Sequence, residues 1–432
     1  MRVDRVPIID EHVERPRIRR NQRVTIGKMS EISDLVGDTD PISPPLPIPD
    51  VPGADVGAEG LPARSTLSPR QRVVVEASAI SDVALRTTAS ALLAATVAPV
   101  VVSSNLRRGD SASERDKLKF YAELGAERDP RLSFPAPLEP PKNVTRHASP
   151  LAQRVALATI DNISFPSSFR AINPAMRKRW SALPANNVVW AQHWRHDDGP
   201  RPTLCVIHGF MGSSYLFNGL FFSLPWYFRS GYDVLLYTLP FHGKRAEKHS
   251  PFSGFGYFAS GLSGFAEAMA QAVHDFRSVV DYLQGTGVER IALTGLSLGG
   301  YTSSLIASVD DRLEAVIPNC PVITPGDLFD EWFPASTLIK FGRWLTSINN
   351  EELQAGLAYH GPLNYQPLLS KDRRMIITGL GDRMAPPEHA VALWKHWERC
   401  ALHWFPGSHV LHVSQLDYLR RMTPFLHQFM YD

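Results

Sequence analysis

The chain has 432 residues, 44% of them hydrophobic and 20% charged, and a formal net charge of +2. This is the composition of an ordinary globular protein, and so small a net charge excludes the general attraction to polyanions on which nucleic-acid binding depends. The three cysteines, Cys205, Cys320 and Cys400, are widely spaced in or beside apolar runs and lack metal-ligand spacing, so they read as buried core thiols in a reducing compartment.

The N-terminal run MRVDRVPIIDEHVERPRIRR scatters its charges and lacks the continuous apolar stretch of a secretory signal, so a cytoplasmic location is expected. Residues 1–70 show little apolar periodicity, and DPISPPLPIPDVPG (40–53) carries enough proline to forbid helix and central strand, which predicts a disordered or extended arm. Residues 71–156 read as a helical extension, from 71 to about 129, followed by a linker centred on FPAPLEPPKN (134–143). Within the extension, TTASALLAATVAPVVVSSNL (87–106) is uncharged and flanked by arginines. Its Ala, Ser and Thr content and the interruption at Pro99 favour a buried or docking helix, with peripheral membrane contact as the alternative.

From about residue 157 to 432, short Val-, Ile- and Leu-rich runs alternate with longer amphipathic stretches. That alternation predicts an α/β domain with a mostly parallel, doubly wound sheet. The predicted strands are NVVWAQHW (187–194), TLCVIHG (203–209), YDVLLYTLP (232–240), ERIALTG (289–295), LEAVIPN (313–319), RMIITGL (374–380) and ALHWF (401–405). Amphipathic helices are expected over 267–283 and from about 414 to 430. About fifty residues separate the strands LEAVIPN and RMIITGL, more than a crossover needs, which predicts a helical cap over about 321–370.

The strongest chemical signal is IALTGLSLGG, in which Gly295, Ser297 and Gly299 form G-x-S-x-G. Chance alone places that pattern in roughly one chain of this length in seven, so context decides its weight. Here an apolar strand runs into it and a small-residue helix leaves it, as a serine on a tight strand-to-helix turn requires. A serine hydroxyl is a weak nucleophile and needs a base, and the base needs an orienting carboxylate. Asp382 follows the strand RMIITGL, with Asp327 or Asp330 as alternatives for the acid. His409 follows the strand ALHWF, with His403 inside that strand and His412 beyond it as alternatives for the base. The amides of Leu298 and Phe210 are the expected oxyanion donors. His208 and His242 read as loop-shaping residues that hydrogen-bond backbone.

Taken in order, HGFMGSS, LPFHG, GLSLGG, GLGDR and GSH resemble the alpha/beta-hydrolase superfamily from about residue 187 to the C-terminus. FPSSFRAINPAMRKRW, HWRHDDGPRPTL and SPFSGFGYF resemble a poorly characterised esterase-like or lipase-like branch of it. The resemblance implies the alpha/beta-hydrolase fold, a triad of Ser297, Asp382 and His409, and no cofactor; no metal is expected either. The expected substrate is a small-molecule or lipid acyl ester, contacted by Met211, Tyr301, Trp332 and Trp344. Phe329, Trp332, Phe333, Leu338, Phe341 and Trp344 form an apolar face in the cap that either packs on the core or roofs an acyl pocket. The aromatic run 213–228 could line the same cavity, and Lys244, Arg245 and Lys248 read as a solvated surface cluster. Acyl transfer to another alcohol would use the same triad, and a non-catalytic scaffold is the alternative from another class.

Overall fold

The computed structural model describes residues 60–62, 64–106, 113–149, 158–326, 336, 337, 340 and 348–431. The chain divides into two units, Met1–Pro44, which lies outside the described residues, and Pro45–Asp432, which holds every element. Most of the arm expected over 1–70 and much of the cap expected over 321–370, including Trp332 and Trp344, fall outside the described residues, as do Asp327 and Asp330.

Helix α1 (Pro69–Leu106) continues past Pro99, and α2 (Glu114–Ala126) follows it. Strands β1 (Thr145–Ala148) and β2 (Ala158–Pro166) come next, neither of them among the predicted strands. The segment expected to be helix and linker over 71–156 thus also supplies an edge strand. Its residues TRHA are all exposed and carry no apolar alternation that would mark them as sheet.

The remaining strands are β3 (Val188–His196), β4 (Thr203–Ile207), β5 (Asp233–Tyr237), β6 (Ile291–Leu296), β7 (Leu313–Asn319), β8 (Met375–Gly379) and β9 (Ala401–Phe405). Helices α3 (Tyr215–Phe221) and α4 (Leu224–Arg229) lie between β4 and β5, and α5 (Gly261–Gly285) between β5 and β6. Helix α6 (Leu298–Ile306) leaves β6 directly, and α7 (Asn350–Ala358), α8 (Pro387–His396) and α9 (Gln415–Met430) complete the order. One nine-stranded sheet runs β1-β2-β3-β5-β4-β6-β7-β8-β9. The pairings β1–β2, β2–β3 and β3–β5 are antiparallel, and all pairings from β5 through β4 to β9 are parallel. Every residue of β4, β5, β6 and β8 is buried, as expected of strands covered on both faces.

Two apolar layers sandwich the sheet. One holds α5, α6 and α8 with Trp180, Tyr121 and Tyr359; the other holds α4 and α9 with Leu224, Tyr227, Leu426 and Met430. The N-terminal helices are built into this unit. Glu114 of α2 accepts hydrogen bonds from the Ser263 amide and hydroxyl, both at 2.8 Å, which satisfies an orphan donor at the start of α5. Tyr121 donates to Glu267 of α5 at 2.8 Å, and burial pushes that carboxyl up to about 7. Among the described residues no helix is long and apolar enough to cross a membrane.

Candidate active site

The turn from β6 into α6 is set by what its glycines lack. A Cβ on Gly295 would lie 2.4 Å from the Gly299 carbonyl oxygen, and one on Gly299 would lie 2.1 Å from the Ile207 carbonyl oxygen. No side chain fits either position, so β4, β6 and α6 approach this closely only through glycine. Between them Ser297 takes φ 57° and ψ −114°, a strained conformation for a residue with a side chain. The strain is held by neighbours: the Ser297 amide donates to the Asn319 carbonyl at 3.0 Å, and the Ser297 carbonyl accepts from the Tyr301 amide at 2.8 Å. Ser297 remains half-buried while the residues around it are buried.

The parallel register carries the other groups to the same edge. Leu296, the last residue of β6, pairs with Asn319, which pairs in turn with Ile377 of β8. Beyond β8 stands Asp382, fully buried, with one carboxylate oxygen accepting from the amides of Met384 (2.9 Å) and Ala385 (2.7 Å). Its other oxygen lies 2.7 Å from Nδ1 of His409, the residue that the loop after β9 delivers. This bond assigns the proton to Nδ1 and leaves Nε2 as the ring's basic nitrogen. Burial works against the imidazolium, but the Asp382 charge and hydrogen bond, with a further contribution from Asp82, hold the His409 pKa above its ordinary value.

The alternative bases are occupied elsewhere. His403 is a buried residue in the middle of β9, paired in register with Ile377. His412 faces the Tyr418 hydroxyl at 2.7 Å and the His409 carbonyl at 3.1 Å, and burial first of all pushes it down to about 4.

After β4 the chain turns directly over the serine. A Cβ on Gly209 would sit 3.4 Å from the Ser297 Cβ, which makes this the wall of the site. His208 holds the turn, with Nδ1 2.8 Å from the Gly209 carbonyl and Nε2 accepting from the Leu239 amide at 3.2 Å. His242 bonds the Pro240 carbonyl at 2.7 Å. Phe210 anchors the loop by packing its ring edge-on to Phe252, Phe258 and His242, and its neighbour Met211, at φ 64°, is exposed. Leu298 is the first residue of α6, where a helix has no internal partner for its amides.

Tyr301, expected at the substrate, is buried and bonds Nδ1 of His360 at 2.5 Å. Arg245 is not part of a solvated cluster. It is fully buried, pairs with Asp275 at 2.6 Å and donates to the Asn186 and Thr238 carbonyls, because those acceptors satisfy its fork inside the core. Of the run 213–228, α4 is core, whereas α3 leaves Leu216, Phe217 and Leu220 exposed.

Two residues that sequence reasoning did not place here belong to the site. Cys320 follows Asn319, and its thiol is pushed well above its usual pKa, by burial first and then by the Asp382 charge. The Cys320 sulfur, an Asp382 oxygen and a His409 nitrogen lie within 4.8 Å of one another, the one such grouping among the described residues. Within this grouping the Asp382–His409 pair is joined by the 2.7 Å hydrogen bond, and the buried thiol lies beside it.

The second is Asp82 of α1, whose carboxylate is fully buried. One of its oxygens accepts from the Ser408 hydroxyl at 2.8 Å. The other accepts from the His409 amide at 2.9 Å and the Arg383 amide at 3.1 Å. The signal was present in principle. Val75, Ser78, Ala79, Asp82, Ala89 and Ser90 make a buried stripe at three-and-four spacing, with an acid at its centre.

The fold agrees with what is known of other proteins. Residues 202–346 match the family described as alpha/beta hydrolase fold. Two solved structures share the architecture at a TM-score of 0.50. An acetyl xylan esterase from a Paenibacillus species is 16% identical, with 74% of this chain and 97% of that one covered. Acetyl xylan esterase 1 from a Thermoanaerobacterium species is 14% identical, with 73% and 95% covered. The chain has the alpha/beta-hydrolase fold. Among curated proteins it is 32% identical over 238 residues to an uncharacterised protein found in two strains of Mycobacterium tuberculosis, a match covering 54% of this chain. It spans about half the length of those relatives, 55%.

Proposed function

We propose that the protein is a serine hydrolase that cleaves an acyl ester through a covalent acyl-enzyme on Ser297. One observation carries the reading: a serine held in a strained strand-to-helix turn shares its sheet edge with a buried His409–Asp382 pair at 2.7 Å. In this reading the Ser297 Oγ attacks the ester carbonyl as its proton passes to Nε2 of His409. The oxyanion is met by the amides of Leu298 and Phe210. Collapse breaks the bond to the alcohol, which leaves with the proton from His409. Water then repeats the sequence on the acyl-enzyme, releasing the acid and restoring the serine.

The surroundings support an apolar acyl group. Met211, Phe217 and Leu220 on the side of the Gly209 turn are exposed, as are Val410, Leu411 and Val413 in the loop that carries His409. These segments touch, since the Phe221 and His412 rings lie 5.0 Å apart and Gln415 donates to the Phe221 carbonyl at 2.7 Å. Apolar side chains clustered at a site's rim favour an apolar ligand portion.

A fluorophosphonate probe should label the protein at Ser297, and p-nitrophenyl esters of increasing acyl length should be turned over with a preference for the longer chains. Absence of labelling would leave the alternative of a non-catalytic hydrolase-fold scaffold. Labelling with slow hydrolysis but fast transfer to an added alcohol would make the enzyme an acyltransferase.

The pH dependence follows from the state of His409. Only the neutral ring accepts the serine proton, and the raised pKa keeps the ring protonated to higher pH. The acid limb of kcat/KM should therefore have its midpoint above the value of about 6.5 for an unperturbed histidine. An acid limb centred below that value would remove His409 from the role of base.

A further inference from the structure

We infer that Asp82, on the N-terminal helix α1, is a positioning residue for the site, and that α1 is therefore a working part of the active centre. The inference rests on the reading of Ser297, His409 and Asp382 as a hydrolase triad. Its basis is where the three hydrogen bonds to Asp82 originate. Arg383 directly follows the triad acid, Ser408 directly precedes the triad base, and the third donor is the amide of that base itself. One buried carboxylate thus ties together the two loops whose spacing sets the His409–Asp382 bond. A sheet alone does not fix that spacing, because both residues stand on loops beyond the ends of β8 and β9.

The rest of the helix is fitted to the same place. A Cβ on Gly381, next to the triad acid, would lie 2.5 Å from the Ser78 hydroxyl and 2.8 Å from the Val75 carbonyl oxygen, so α1 packs directly on that loop. Arg86, one turn beyond Asp82, donates to the Arg383 carbonyl at 3.0 Å. Val75 joins Leu67 and Trp404 of β9 in a small apolar cluster beneath these contacts. Asp82 thus works by holding others in place, at the level of loop geometry and local charge.

Asp82 also contributes negative charge at His409. The groups that face the ring and its loop are Asp382 beyond β8, Cys320 beyond β7, Asp82 on α1 and His412 in the same loop; Arg86 and Arg383 stand beside Asp82. Asp382 is the main cause holding the imidazolium against burial, and Asp82 adds to it. Removing the Asp82 charge while keeping its shape should therefore lower the His409 pKa and move the acid limb to lower pH.

The test uses the full chain with Asp82→Ala, Asp82→Asn and, as a control on the exposed face of α1, Ile80→Ser. Asp82→Ala should lower kcat about 10- to 100-fold with KM little changed, since a loosened base is a loss of orientation and not of substrate binding. Asp82→Asn keeps an acceptor for the amides and should lose less. Its kcat/KM profile should shift its acid limb below that of the wild type, and Ile80→Ser should leave rate and profile unaltered. A rate within twofold of wild type for Asp82→Ala, or superimposable profiles for Asp82→Asn and wild type, overturns the inference. Should Asp82→Ala fail to fold, the Asp82→Asn profile decides. The His409 ring resonances, titrated by NMR, separate this inference from the reading beneath it. A wild type that neither labels nor turns over esters sinks the hydrolase reading. A His409 midpoint unmoved by Asp82→Asn sinks the role of Asp82, whether or not the protein turns over an ester.

Discussion

Ser297→Ala should abolish fluorophosphonate labelling and lower kcat on any turned-over ester on the order of 10⁴- to 10⁶-fold, with KM little altered. The size follows from the loss of the acyl-enzyme route: no other hydroxyl can replace a nucleophile presented by a strained turn, and His409 is left to activate water alone. What survives should be the contribution of the oxyanion donors and of binding. The variant should fold, because the backbone bonds that hold the elbow run from the Ser297 amide to Asn319 and from the Ser297 carbonyl to Tyr301 and involve no side chain. Alanine at φ 57° bears the same strain as serine, so the stability change should stay small. A variant that folds yet keeps more than a hundredth of the wild-type rate would place the nucleophile elsewhere.

Asp382→Asn should lower kcat by a factor on the order of 10⁴, with folding retained. The carboxylate is fully buried and its hydrogen bonds are those of an acceptor: two backbone amides on one oxygen and His409 Nδ1 on the other. An asparagine oriented to keep the amides of Met384 and Ala385 would turn its NH₂ toward Nδ1. The histidine would then have to present a lone pair there and carry its proton on Nε2, where it cannot accept one from Ser297. It should also lose the partner that raises its pKa, so any residual activity should persist to lower pH than in the wild type. Stopped-flow labelling with the fluorophosphonate reports the loss at the serine directly. A rate within tenfold of wild type would return the orienting role to another carboxylate.

Much of this arrangement was legible in the chain. Continuous Val, Ile and Leu runs could only be strands covered on both faces. The spacing of Gly295, Ser297 and Gly299 stated which backbones must touch, and Asp382 and His409 stood where a parallel sheet delivers loop residues to one edge. The N-terminal third was less legible. β1 is short and exposed, and its antiparallel pairing with β2 is a long-range fact with no local pattern. In α1 the hydrophobic signal is mixed, since Val73 and Ile80 face solvent while Ser78, Asp82 and Ser90 are buried beside Val75, Ala79 and Ala89. Arg245 was misjudged because a basic side chain after a strand looks the same in sequence whether or not a partner waits across the fold; Cys320 is the buried core thiol expected, and only its nearness to Asp382 was not legible.

By itself, then, the sequence determined the alternation of strands and helices, the glycine-bounded turn and the order of the three catalytic candidates, because each depends on steric or solvation properties of residues near one another in the chain. Only the tertiary structure decided that His409 and not His403 or His412 meets Asp382, that Cys320 lies beside that pair, and that Asp82, some three hundred residues before Arg383 and Ser408, ties their loops together. Such choices turn on which buried donors find which acceptors, a matter of distance in space that no local spacing encodes.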